Sequence, residues 1–172
     1  MFKLAGILLL MAGCTGFGIN KVSEEKRRIQ ELREIRRIII RIQNEMIYGK
    51  RTLPEICLLF SQCMEEPYRT AFLGLFHRLN ENDGTNLTKL WEEQMEACMT
   101  GLPLKDEEKN VLKDLPKHLG IQDEVLQAAD IGQSLDMVGE HIHRAEAEYE
   151  NKTKVIMSIS VMAGLFLVIL LL

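Results

Sequence analysis

The pattern of hydrophobic and polar positions divides the chain into two apolar ends and a charged middle. Leu4 to Ile19 and Val155 to Leu172 are its only long stretches without a charge. An α-helix rises ~1.5 Å per residue and a hydrocarbon core is ~30 Å thick, so the second stretch spans a bilayer and the first just does. After the first, Ile35, Ile39, Ile42 and Met46 step by four, three and four, preceded by Ile29 and Leu32, while Arg28, Glu31, Glu34, Arg41 and Glu45 keep the remaining surface polar. The spacing predicts a helix from Val22 to Tyr48 that continues straight out of the apolar stretch.

Turn residues punctuate the chain beyond this helix. Gly49 is the expected C-cap of the first helix, and Thr52 with Glu55 three residues later is a capping box that opens a short helix from Leu53 to Met64, with Pro54 in its first turn. Glu65-Glu66-Pro67 breaks the chain; Tyr68 to Asn80 then places Phe72, Leu75, Phe76 and Leu79 on one helical face, and Asp83-Gly84 turns it again. Asn86 or Thr85 caps a fourth helix carrying Leu87, Leu90, Trp91, Met95 and Cys98, which Gly101-Leu102-Pro103 stops. Lys105 to Leu119 reads as a fifth helix ending at Gly120. From Asp123 onward Ile131, Leu135, Val138, Ile142, Ala145 and Tyr149 form a three-four stripe that runs into the second apolar stretch.

No segment alternates as a strand does. The expected class is all-α: a membrane-anchored bundle of about six cytosolic helices between two transmembrane helices, divided into residues 1–20, 21–154 and 155–172. The first and last helices of the middle region leave and re-enter one membrane face, so they are expected to run antiparallel with coiled-coil-like packing. Ala12 with Gly16, and Ser160 with Gly164, give each apolar stretch a small-xxx-small patch.

Charge sets the orientation. Lys21, Lys26, Arg27, Arg28, Arg33, Arg36 and Arg37 follow the first stretch and Arg144, Lys152 and Lys154 precede the second, so the positive-inside rule puts the middle region in the cytoplasm. The net charge of −4 conceals this basic stripe, which suits topology and anionic lipid; no nucleic-acid motif accompanies it. A second reading takes Lys3, the apolar run and Leu10-Met11-Ala12-Gly13-Cys14 as an export signal with Cys14 as the lipidated residue of a lipoprotein. Met11 in place of Leu, the downstream basic cluster and the second anchor oppose it.

Catalytic chemistry finds little to build on. There is no phosphate loop, His77 and His118 are isolated, and Cys57, Cys63 and Cys98 have no metal-ligand spacing and read as small buried apolar residues. Glu140 and His143 share the Glu-x-x-His spacing of carboxylate di-iron bundles, but no second pair exists, so a metal-binding bundle stays an alternative and a polar helix face the plainer reading. No cofactor and no enzymatic activity are expected.

The segment Glu45-Met46-Ile47-Tyr48-Gly49-Lys50-Arg51-Thr52-Leu53-Pro54-Glu55 resembles the stage III sporulation protein AB family of endospore-forming bacteria. Leu119, Gly120, Asp123 and Gln127 match that family's second turn, and Gly164 with Leu165 its terminal helix; Thr52, Ile56 and Leu126 depart from its common residues. The resemblance implies a helical domain similar to the cytosolic domain of type II secretion and type IV pilus platform proteins. It implies a place in the outer forespore membrane, within a channel complex between mother cell and forespore. The partners it implies are a secretion-type ATPase and other channel subunits; membrane lipid is expected from the basic stripe, and a homo-oligomer is a further partner to test. Lys50, Arg51 and Glu55, the charges of the signature turn, are the expected partner-interface residues.

Overall fold

The structure is a computed structural model that describes the backbone of residues 2–81, 86–119 and 124–171; side chains are described from residue 22 to 156 outside 82–85 and 120–128, and at few positions beyond. It contains seven helices among the described residues: α1 (Phe2–Ile47), α2 (Leu53–Cys63), α3 (Tyr68–Glu81), α4 (Leu87–Met99), α5 (Asp106–Lys113), α6 (Leu115–Leu119) and α7 (Glu124–Leu171), with no strand. The turns expected at Asp83-Gly84 and at Gly120, Asp123 and Gln127 lie outside or partly outside the described residues. So do the side chains of Cys14, the two small-residue patches and most of both apolar stretches, whose backbone is helical within α1 and α7. Among the described residues no helix is long and apolar enough to cross a membrane.

The chain forms two compact units, residues Met1–Gln30 with Ile142–Leu172, and Glu31–His141. In the first, the Arg28 guanidinium meets Glu148 at 2.6 Å and Glu25 at 3.2 Å, and Lys152 also pairs with Glu25. A step up α1 from Glu25 to Arg28 thus goes with a step down α7 from Lys152 to Glu148, so the two helices run antiparallel here. Arg28 is only 5% exposed, where the sequence pattern counts it as surface. It stands on the apolar stripe, four before Leu32 and seven before Ile35, and a guanidinium in that place requires the carboxylates around it. Ile29 and Ala145 are buried in the same unit.

In the second unit the stripe Leu32, Ile35, Ile39 and Ile42 of α1 is fully buried, with Ile38 beside it. Phe60 of α2, Phe72 of α3 and Trp91 of α4 form a zigzag of edge-to-face rings at centroid distances of 5.0 and 5.9 Å, a geometry that complements ring quadrupoles and ties three helices together. From α7, Ile131 and Val138 are buried, while Leu135 is half-buried and so stands at the border of the core.

The expected fifth helix is two. It breaks at Asp114, where Pro116 lacks the N–H that would reach the Leu112 carbonyl and its ring would crowd that turn. The Trp91 indole N–H donates to the Leu112 carbonyl instead, at 2.8 Å. The cysteines divide as well. Cys57 and Cys98 are buried and burial pushes both thiols up to about 12, whereas Cys63 is exposed, contrary to the expectation of three buried thiols.

Candidate functional site

The signature segment folds as the exit of α1 and the entry of α2. The Gly49 N–H donates to the Asn44 carbonyl at 3.2 Å and the Arg51 N–H to the Glu45 carbonyl at 3.1 Å. The left-handed residue of this turn is Lys50, with φ 48°, and not Gly49. Gly49 is required for room: a Cβ there would lie 2.7 Å from both the carbonyl oxygen and the Oε2 of Glu45. Glu45 is held in place, since its Oε2 lies 3.3 Å from the Arg51 guanidinium.

The start of α2 is closed by its own residues. Glu55 Oε2 accepts from the Thr52 backbone N–H at 2.7 Å and from the Thr52 hydroxyl at 2.9 Å, the reciprocal half of a capping box. The backbone N–H and then the hydroxyl of Thr52, with the charge of Arg51 behind them, hold the Glu55 carboxyl below its ordinary range despite slight desolvation. Pro54 sits in the first helical turn, where its missing N–H costs nothing.

Lys50, Arg51 and Glu55 are all exposed on this one turn. Two of the three have local work: Glu55 caps α2 and Arg51 holds Glu45. Tyr48, absent from the expected interface residues, is 81% exposed, the most exposed large apolar side chain among the described residues. Its position signals this, because Ile42, Met46 and Gly49 step by four and three, and Tyr48 falls off that stripe. Beside the turn lies an open groove of about 270 Å³ lined by Arg51, Glu55, Leu58, Leu59 and Gln62. The surface therefore combines an outlying aromatic ring, two cations and two half-exposed leucines, a composition that suits protein contact more than chemistry on a small molecule.

Glu140 and His143 are both exposed on α7, and the His143 ring lies 3.9 Å from Glu146. Among the described residues no three His, Cys, Asp or Glu side chains gather to hold a metal ion. His77 is exposed, and His118 faces Asp130 at 3.4 Å.

The profile of the stage III sporulation protein AB family matches residues 3–172. Stage III sporulation protein AB of Bacillus subtilis (strain 168) is 28% identical over 177 residues that cover 99% of either chain. A solved structure of a stage III sporulation protein AB superposes with a TM-score of 0.65 at 23% identity, covering 72% of this chain and 97% of that one, a likeness of fold. With the signature on an ordered turn and the profile spanning all but the first two residues, the chain belongs to the stage III sporulation protein AB family.

Proposed function

We propose that the protein is a non-enzymatic membrane platform of a channel complex between mother cell and forespore, which couples a cytosolic secretion-type ATPase to membrane subunits through the turn from Tyr48 to Glu55. The observation that carries this reading is Tyr48. The other signature residues are explained by local structure, Glu45 and Gly49 by the exit of α1 and Thr52, Pro54 and Glu55 by the cap of α2, whereas a tyrosine 81% exposed contributes nothing to packing. An exposed loop aromatic flanked by Lys50 and Arg51 is the kind of anchor that protein interfaces use.

Residues 1–20 and 155–172 are the two anchors in this reading, with residues 21–154 in the cytoplasm, as the basic flanks require. Anionic lipid meets Lys21, Lys26 and Arg27 next to the first anchor. The orientation is tested by reporters active only in the cytoplasm. One inserted at Asp83-Gly84 should be active, and ones fused before Met1 or after Leu172 silent; the opposite pattern would remove the domain from any cytosolic ATPase.

A further inference from the structure

The charges of α1 are sorted by sign. From Lys26 to Arg41 every exposed charged side chain is basic: Lys26, Arg27, Arg33, Arg36, Arg37 and Arg41. The acids near them are half-buried and engaged, Glu25 by Arg28 and Lys152, Glu31 by the Tyr68 hydroxyl, Glu34 by Arg37 and Glu45 by Arg51. Arg33, Arg37 and Arg41 step by four and so stack along one side of the helix, away from the buried stripe of Leu32, Ile35 and Ile39.

α7 carries the opposite charge. Residues 123–150 contain eight Asp and Glu against one Arg, Arg144. On its outer side Asp136, Met137 and Glu140 are exposed, with Met137 43% accessible. Gly132 and Gly139, one heptad apart, have nothing among the described residues, their own helix backbone and chain neighbours aside, within 4 Å of where a Cβ would stand, so another helix can approach the backbone closely.

We propose that Arg33, Arg37 and Arg41 of one copy dock on the Asp136, Met137 and Glu140 face of α7 in a second copy of the chain. A pairing of basic α1 with acidic α7 already occurs within the chain, at Arg28 with Glu148. Made once per pair of copies, the contact is head-to-tail and propagates into a ring or a file; made twice, it closes the pair as a dimer. With residues 4–19 in the bilayer, as the platform reading has them, Arg33 stands ~20 Å and Arg41 ~30 Å along the helix from Asn20. The Debye length is ~8 Å at physiological salt, so these arginines are screened from the headgroups. Neither face depends on which ATPase meets Tyr48.

The test uses the full chain in detergent, with a photo-crosslinking amino acid at Met137 and an equal mixture of heavy- and light-isotope protein. Crosslinked peptides should join position 137 of one isotope to the Arg33–Arg41 segment of the other, and should be lost at about 1 M salt, where the Debye length is ~3 Å. Arg33→Glu with Arg37→Glu and Arg41→Glu should abolish assembly, as should Asp136→Lys with Glu140→Lys. Mixing the two variants should restore it, since each then offers the sign the other lacks. Circular dichroism confirms that each is folded, and the crosslinking arm needs neither variant. Assembly unchanged in both variants, or crosslinks only to detergent or to other α7 segments, would overturn the proposal. Loss of ATPase capture in the arginine variant with assembly intact would also overturn it, because the stripe would then serve another protein.

Discussion

Trp91 Nε1 donates to the Leu112 carbonyl at 2.8 Å, the carbonyl that Pro116, four residues on, cannot serve. One proline thus breaks a helix and one indole repairs the break, in a core where both Trp91 and Leu112 are fully buried. Trp91→Phe keeps most of the apolar bulk but orphans that carbonyl, and should cost about 1–3 kcal/mol in denaturant unfolding. Pro116→Ala in the Trp91→Phe background restores a backbone donor and should recover part of the loss. Equal unfolding free energies for wild type and Trp91→Phe would show that the bond is immaterial.

Ile39→Asp and Val138→Asp place a charge at fully buried positions of the second unit. Desolvation without a partner costs several kcal/mol, a large share of the ~5–15 kcal/mol that holds a domain. Both variants should lose cooperative melting. Leu135→Asp should be milder, since that side chain is half-buried, and the order of the three melts checks the assignment of the stripe.

Glu25 supplies a pH test. Burial works to raise its carboxyl, yet the hydrogen bonds and charges of Lys152 and Arg28 outweigh burial and lower it. A carboxyl lowered on folding contributes stability that is fully present above its unfolded value of about 4.3 and is lost as pH falls through the folded value. The melting temperature of wild type should therefore exceed that of Glu25→Gln at pH 7, and the gap should shrink as pH falls below about 4.3 and close once it has passed through the lower folded value. A gap independent of pH would mean that the carboxylate is not the stabilising species.

Much of this architecture is legible in the sequence because glycine, proline and capping residues punctuate it: Thr52 with Glu55, Glu66-Pro67, Asn86 and Gly101-Leu102-Pro103 each fall at a helix boundary. The break at Asp114 is hidden because the apolar spacing of Val111, Leu112, Leu115 and Leu119 runs through it, and spacing alone cannot weigh a proline. Arg28 misleads because its charge argues for the surface, although its place on the stripe is visible. Of the candidate site, the sequence locates the turn but not the division of labour within it. That Glu55 and Arg51 are engaged locally while Tyr48 stands out in solvent depends on how the chain leaves α1, a matter of backbone geometry at Gly49 and Lys50.

Gly49→Ala and Tyr48→Ala should behave oppositely. The first brings a Cβ within 2.7 Å of Glu45 and should lower stability by about 1–3 kcal/mol, as overpacking does. The second removes a ring that touches little, and should leave melting within about 0.5 kcal/mol of wild type. Comparable losses in the two would place Tyr48 in the packing of the turn.

The most direct measurement is capture of the secretion-type ATPase of the same complex by full-length protein in detergent, comparing wild type with the double variant Tyr48→Ala, Lys50→Glu. Glu55 is left in place because it caps α2 and Arg51 because it holds Glu45. The platform account predicts that the double variant keeps its helix content and melting but loses capture by at least about tenfold, the ~1.4 kcal/mol or more expected of an aromatic anchor with a flanking charge. A folded double variant that captures the ATPase as wild type does would contradict it.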